Sequence, residues 1–378
     1  MKKIIKVILY VFLCFCVIFT SVIGGWALKH SNEAIKLGYI VNLISNNYLF
    51  DYKEDDLVEG AIKGMVDSLG DPYSVYMDAE TTANLYESNA GVFGGIGVYA
   101  TTNDAGQVVI SSPIKDGPSD KAGIKAEDII YAVDDQLVAG MNIDEVVAMM
   151  RGEAGTNVKI TVDRNGEKID FDIVRDLVDE QTVVSMVTEE DSRIGYIAIN
   201  KFSENTDEAF TDQLNELIEQ NIQSLIIDLR YNGGGSVDAA CNIAALMVPE
   251  GPIVQIVDNK GNSNIIESPG AQLEAPIVVL VNEYSASASE ILAGALQDTK
   301  AATLIGTTTY GKGIVQTVYF LNDGTGIKLT EAKYLTPNGN DINQKGITPD
   351  IVVELGENED NQFKAAIEYL QGQLDSGR

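Results

Sequence analysis

The chain has a single histidine in 378 residues, His30, and it lies at the edge of an N-terminal apolar stretch. A Ser-His-Asp site therefore cannot be assembled from the residues downstream of it. Cysteine is equally scarce. Cys14 and Cys16 fall inside the apolar stretch, which leaves Cys241 alone in the remainder, so no intrachain disulfide is expected there. One histidine and no cysteine cluster exclude a zinc site, and no calcium-loop spacing appears, so neither metal nor cofactor is expected. Basic residues are few, 26 Lys and Arg against 56 Asp and Glu, for a net charge of −30. A surface of that sign repels phosphates, and nucleic-acid binding is disfavoured.

What is present begins with residues 7–28, 22 uncharged residues preceded by Lys2, Lys3 and Lys6. That length spans a bilayer, and the lysines place the N-terminus inside. The expectation is a single-pass membrane helix over residues 1–30 with the rest of the chain extracytoplasmic. The alternative is a cleaved signal peptide and a secreted product. Against it stand the length of the apolar run and the lack of a clear Ala-x-Ala site.

Nucleophile chemistry is concentrated near the C-terminal end. Ser285-Ala286-Ser287-Ala288-Ser289-Glu290 offers serines among small residues before a helix read over Glu290 to Gln297, where developing negative charge is favoured. Lys312 follows in Gly311-Lys312-Gly313-Ile314-Val315-Gln316, with no acid between Asp298 and Asp323 in the sequence to hold its charge. A lysine acts as base toward a hydroxyl only when desolvation brings its pKa toward neutrality, and these neighbours suit that. The overlapping Gly306-to-Lys312 segment imitates a phosphate loop. Gly313 stands where such a loop needs Ser or Thr, and the residues after it are β-branched where a helix is required.

Six ordered motifs now carry a family resemblance: Gly60 to Val66 with Leu69 to Tyr76, Phe93 to Gly97, Asp228 to Gly235, Ser285 to Glu290, Gly311 to Gln316, and Lys345 to Asp350. The chain resembles the carboxyl-terminal processing (tail-specific) proteases, Ser/Lys endopeptidases that contain a PDZ domain. The resemblance implies Ser287 as nucleophile, Lys312 in the next motif as base, and Gln316 as the residue that orients the lysine. It implies oxyanion donors at the amide of Ala288 and at Gly234 or Gly235. Gly233 stands where many members have proline, which loosens that turn. Four residues of ideal strand span about 13 Å, so Gln316 reaches Lys312 only if the chain bends.

The fold class implied is α/β, a ClpP/crotonase-like protease core with a mainly β PDZ domain carrying two helices, and an N-terminal helical segment. The expected division is 31–90 helical, 91–177 PDZ, 178–357 protease core and 358–378 a C-terminal helix or tail. Within the PDZ region, β-rich runs at Val108–Ile110, Ile129–Val133, Val158–Val162 and Ile169–Val174 surround one good helix, Ile143 to Met150. Its carboxylate loop would be Gly94-Gly95-Ile96-Gly97, with amides exposed to a peptide C-terminus. Arg151, ending that helix and facing inward, is a candidate for coupling peptide binding to the protease. In the core, strands at Ile194–Ile199, Ser224–Leu229 and Ala275–Val281 alternate with a helix carrying Phe210, Leu214, Leu217 and Ile218, and Asp228 with Arg230 reads as a structural pair. Expected partners are proteins with apolar C-terminal tails, the membrane, and, by resemblance, a second copy in a homodimer. Two rivals differ in kind: a catalytically silent PDZ scaffold at the membrane, and an acyl-CoA enzyme on the crotonase-like fold.

Overall fold

The structure is a computed structural model that describes residues 31–376, apart from 104, 271, 272, 274, 357 and 358. Residues 7–28, where the membrane helix is expected, lie outside that set. Among the described residues no helix is long and apolar enough to cross a membrane.

The chain divides after Gly70. The first unit holds two helices, Ser31–Asn47 and Glu54–Asp67, the second opened by Glu54, Asp55 and Asp56 at its positive dipole end. Val66 is its one buried apolar side chain among the described residues, and Ile35, Leu43, Leu49, Phe50 and Met65 are exposed.

The second unit begins at Asp71. Residues 71–90 do not continue the helical segment: Val75–Met77 pairs antiparallel with Gly326–Leu335, from the far end of the chain, and the helix Ala79–Ala90 follows from an Asp78 cap. A short strand beside Gly-Asp-Pro has no periodicity of its own to read.

At the centre of this unit lies a six-stranded sheet in the order 183–187, 194–199, 224–228, 277–281, 303–306 and 351–352. Its first pair is antiparallel and every later pair parallel. Helices cover both faces, as a parallel sheet requires. Leu225, Ile227, Val279 and Val281 face one core with Phe210, Leu214, Ala240 and Leu292, while Ile226, Val278 and Leu280 face Ala366, Ile367 and Leu370 of the last helix, Asn361–Ser376. A second sheet joins Val75–Met77, Gly326–Leu335, Gly251–Asp258, Ser263–Ser268 and Ile314–Phe320. The segment from Gly306 through Lys312 leads into that last strand and forms no helix, so it is not a phosphate loop.

Inserted between these parts is a six-stranded antiparallel sheet over residues 98–174, with the helices Pro118–Ala122 and Ile143–Met150 and a core of Ile96, Ile110, Ile130, Val146, Ile160 and Ile173. Asn142 caps the longer helix in a reciprocal capping box with Glu145. A two-stranded ribbon, Val92–Gly95 with Asp176–Asp179, closes the base of the insertion.

Candidate active site

The strands 224–228 and 277–281 run parallel, and each ends in a turn at the same edge of the sheet, where open α/β sheets form their clefts. The first turn is held by Asn232, fully buried. Its amide donates to Ile199 O at 2.6 Å, and its Oδ1 accepts from Gly234 N–H at 2.8 Å. Its carbonyl takes Ala286 N–H at 3.0 Å and Ser289 Oγ–H at 2.9 Å, which welds this turn to the serine turn. Asp228 and Arg230 anchor it from below: Arg230 lies 2.6 Å from Asp228 and 2.7 Å from Asp360 of the C-terminal segment.

The three serines then separate. Ser285 is fully buried and donates to Leu229 O at 2.8 Å; Ser289 is fully buried and donates to Asn232 O. Ser287 alone lines a cleft of about 310 Å³, together with Lys312, Gln316 and the three glycines 233–235. It sits at φ 55°, ψ −115°, a backbone conformation that a non-glycine residue adopts only where the surroundings impose it. The helix Ala288–Asp298 begins immediately after it, so Ala288 N–H belongs to the first turn, whose amides have no partner within a helix. Gly234 approaches this point so closely that a Cβ there would lie 2.6 Å from Ala286 O and 2.9 Å from Ala288 N. Gly234 N–H is engaged by Asn232. Among the described residues, Gly235 N–H has no acceptor.

Lys312 enters the cleft half-buried, its Nζ 4.8 Å from the centre of the Tyr73 ring. Burial pulls its pKa below the ordinary lysine value, and the positive charge of Lys328 adds to that; Asp71 and Glu290 pull the other way. Among the described residues no hydrogen bond joins its Nζ to Ser287 Oγ.

Gln316 does not touch Lys312 through a hydrogen bond. The strand is irregular between Val315 and Gln316, which supplies a bend, and the Gln316 amide donates to Thr330 Oγ1 at 3.4 Å. Thr330 in turn donates its N–H to Ser74 Oγ, which donates to Asp71 at 2.6 Å. Gln316 thus reaches toward the Asp71 side of the cleft, from which a negative charge acts on Lys312.

Glu290 was not singled out by the sequence, yet it ties the site together. Fully buried, it accepts from Thr309 Oγ1 at 2.6 Å and Gly311 N–H at 2.7 Å on one oxygen. Lys312 N–H at 2.8 Å and Ser287 N–H at 3.0 Å donate to the other. Tyr334 completes the join: its hydroxyl lies 2.5 Å from Lys312 O and 3.1 Å from Ser287 O. The visible signal for Glu290 was a glutamate at the third position of a helix after serine, the pattern of a reciprocal cap.

In the PDZ region, Gly94 to Gly97 are buried rather than exposed, because Gly94 and Gly95 belong to the ribbon strand. Gly94 N–H donates to the Glu87 carboxylate at 3.2 Å. The amides of Ile96 and Gly97 have no acceptor among the described residues. Arg151, expected to face inward, is exposed and caps its helix, with its guanidinium 4.9 Å from the centre of the Phe93 ring. A planar cation beside an exposed helix end is better hydrated over an aromatic face than inside an apolar core.

An α/β core carrying an inserted PDZ domain, with a serine held in a strained turn opposite a desolvated lysine, defines a class of peptidase. Residues 193–353 match Peptidase family S41, residues 109–164 a PDZ domain, and residues 26–81 the Activating protease CtpB N-terminal domain. The chain is 42% identical over 323 residues to the carboxy-terminal processing protease CtpA of Bacillus subtilis, covering 85% of this chain and 69% of that one. It is 39% identical over 324 residues to CtpB of the same organism, covering 84% and 67%. A solved photosystem II D1 C-terminal processing protease superposes with a TM-score of 0.51 at 33% identity, over 83% of this chain and 85% of that one. The chain belongs to the carboxy-terminal processing proteases of family S41, and spans about two thirds of the length of the curated relatives it matches.

Proposed function

We propose that the protein is a serine endopeptidase in which Ser287 attacks and Lys312 is the base. The observation that carries this reading is the shared cleft: of three neighbouring serines only Ser287 faces it, opposite an amine whose charged form is disfavoured by burial. Neutral Lys312 takes the Ser287 proton as Oγ attacks the peptide carbonyl. Ala288 N–H stabilises the oxyanion, with a second amide from the Gly234–Gly235 turn, where Gly235 N–H is the one without an acceptor. The protonated lysine then gives its proton to the leaving amine, and water releases the acyl-enzyme. Gln316 fixes the wall beside the lysine.

The remaining elements fit the same reading. Substrates arrive by apolar C-terminal tails bound at Gly94 to Gly97, with the Ile96 and Gly97 amides for the carboxylate, and Arg151 on Phe93 sits where it can sense that binding. Residues 7–28 anchor the chain in the membrane with the protease extracytoplasmic, and the exposed apolar side chains of the first unit pair two copies. The same reading keeps the division into a helical part over 31–90, a PDZ domain over 91–177 and a protease core over 178–357.

A fluorophosphonate probe tests the assignment. Labelling of the parent at Ser287, lost in Ser287→Ala, is the expected result. No labelling with intact folding would favour the silent scaffold or the acyl-CoA enzyme.

A further inference from the structure

We infer that Lys328 makes the catalytic cleft a binding subsite for a carboxylate of the substrate. The inference rests on the reading of the Ser287 cleft as the place of cleavage.

The cleft lining contains two lysines, Lys312 and Lys328, and no acidic residue. In a chain of net charge −30 that sign is the reverse of the molecule's own. Lys312 must be uncharged when it acts as base, so Lys328 is the cation of the working cleft. Its place is fixed from both sides: it lies in the strand Gly326–Leu335, in register with Val75 on one neighbour and Val318 on the other. Its side chain is partly buried.

Lys328 also has no partner. Among the described residues no carboxylate lies within salt-bridge distance of its ammonium, and no acceptor is hydrogen-bonded to it. Lys333, further along the same strand, is paired with Asp341 at 2.9 Å. The carboxylates nearest the catalytic lysine are already in use. Asp71 accepts from Ser74 and Tyr73, and both oxygens of Glu290 are filled by Thr309, Gly311, Lys312 and Ser287. A partly desolvated ammonium left without an anion is unfavourable, and a substrate that supplies one recovers that free energy on binding. Two sources present the same chemistry: an acidic side chain in the segment crossing the cleft, and the terminal carboxylate of the substrate itself.

The experiment uses the full chain and two sets of peptides. In one, Glu and Gln alternate at each position flanking the cleaved bond; in the other, the peptide ends in a free acid or an amide. The quantity read is the ratio of kcat/KM for the charged and neutral members of each pair, which a uniform loss of activity leaves unchanged. The parent is expected to favour the carboxylate about tenfold in one of the two sets, as a charge-assisted hydrogen bond does. That set identifies the source. Lys328→Gln should bring the ratio to about one, Lys328→Glu should invert it, and Lys328→Arg should keep it. A parent without preference in either set, or a preference that survives Lys328→Gln, overturns the inference. Should Lys328→Gln cleave nothing, salt decides: the parent's ratio must fall as ionic strength rises, and a constant ratio counts against the subsite. Cleavage undiminished in Ser287→Ala would instead overturn the underlying assignment of the cleft.

Discussion

Ser287 and Lys312 donate their backbone amides to the same oxygen of Glu290, at 3.0 and 2.8 Å. The proposed nucleophile and base are thereby spaced by a third, buried side chain, with Thr309 and Gly311 filling its other oxygen.

Glu290→Gln keeps the volume but turns an amide NH₂ toward two N–H or O–H donors. A charge-assisted hydrogen bond is worth roughly 1.5–3 kcal/mol, so kcat should fall by about 10- to 100-fold. Steady-state kinetics with circular dichroism on the same sample checks that activity falls more than folding.

The pH profile should report Lys312. In the proposed mechanism its neutral form is the active one, so cleavage should rise with pH through a pKa below the ordinary lysine value, set first by burial and then by Lys328. Lys328→Gln removes a like charge, favours the protonated lysine and moves the rising limb to higher pH. Asp71→Asn removes an opposite charge and moves it to lower pH. A limb that stays in place in both variants would remove Lys312 as the titrating base.

Serine substitutions should divide by what each hydroxyl does. Ser287→Ala should fold normally and cleave nothing. Ser285→Ala removes one of the two donors to Leu229 O, leaving Asn232 N–H, and Ser289→Ala removes one of the two donors to Asn232 O, leaving Ala286 N–H, each costing about 0.5–1.5 kcal/mol of stability while leaving a measurable rate. Thermal unfolding and cleavage measured together separate the two outcomes.

Gly235→Ala should unfold or misplace the turn, since its Cβ would fall onto Phe202 O, at a φ of +140°. A Tm unchanged from the parent's would contradict the close approach.

Cys241 should be inert in the folded protein. Burial pushes its thiol up to about 12, so a thiol reagent at neutral pH should label it only after denaturation.

Much of this was legible in the sequence because it is local. The helix Ile143–Met150 and the strands Ile194–Ile199 and Ile314–Phe320 have their own periodicity or β-branched runs, and the structure keeps those bounds. Ser287 and Lys312 lie in short glycine- and alanine-rich motifs. The parts that escaped depend on distant residues. No acid near Lys312 in sequence predicts a neighbouring charge, yet Asp71 comes from the start of the unit and Glu290 from the helix Ala288–Asp298. Val75–Met77 finds its partner only across the fold, and Arg151 is turned outward by the ring of Phe93, which belongs to a different element.

The measurement closest to the central claim is cleavage of an unstructured protein with an apolar C-terminus by the parent, Ser287→Ala and Lys312→Ala, with products mapped by mass spectrometry. The account predicts cleavage by the parent and none by either variant. Products from Ser287→Ala at the parent's rate would contradict it.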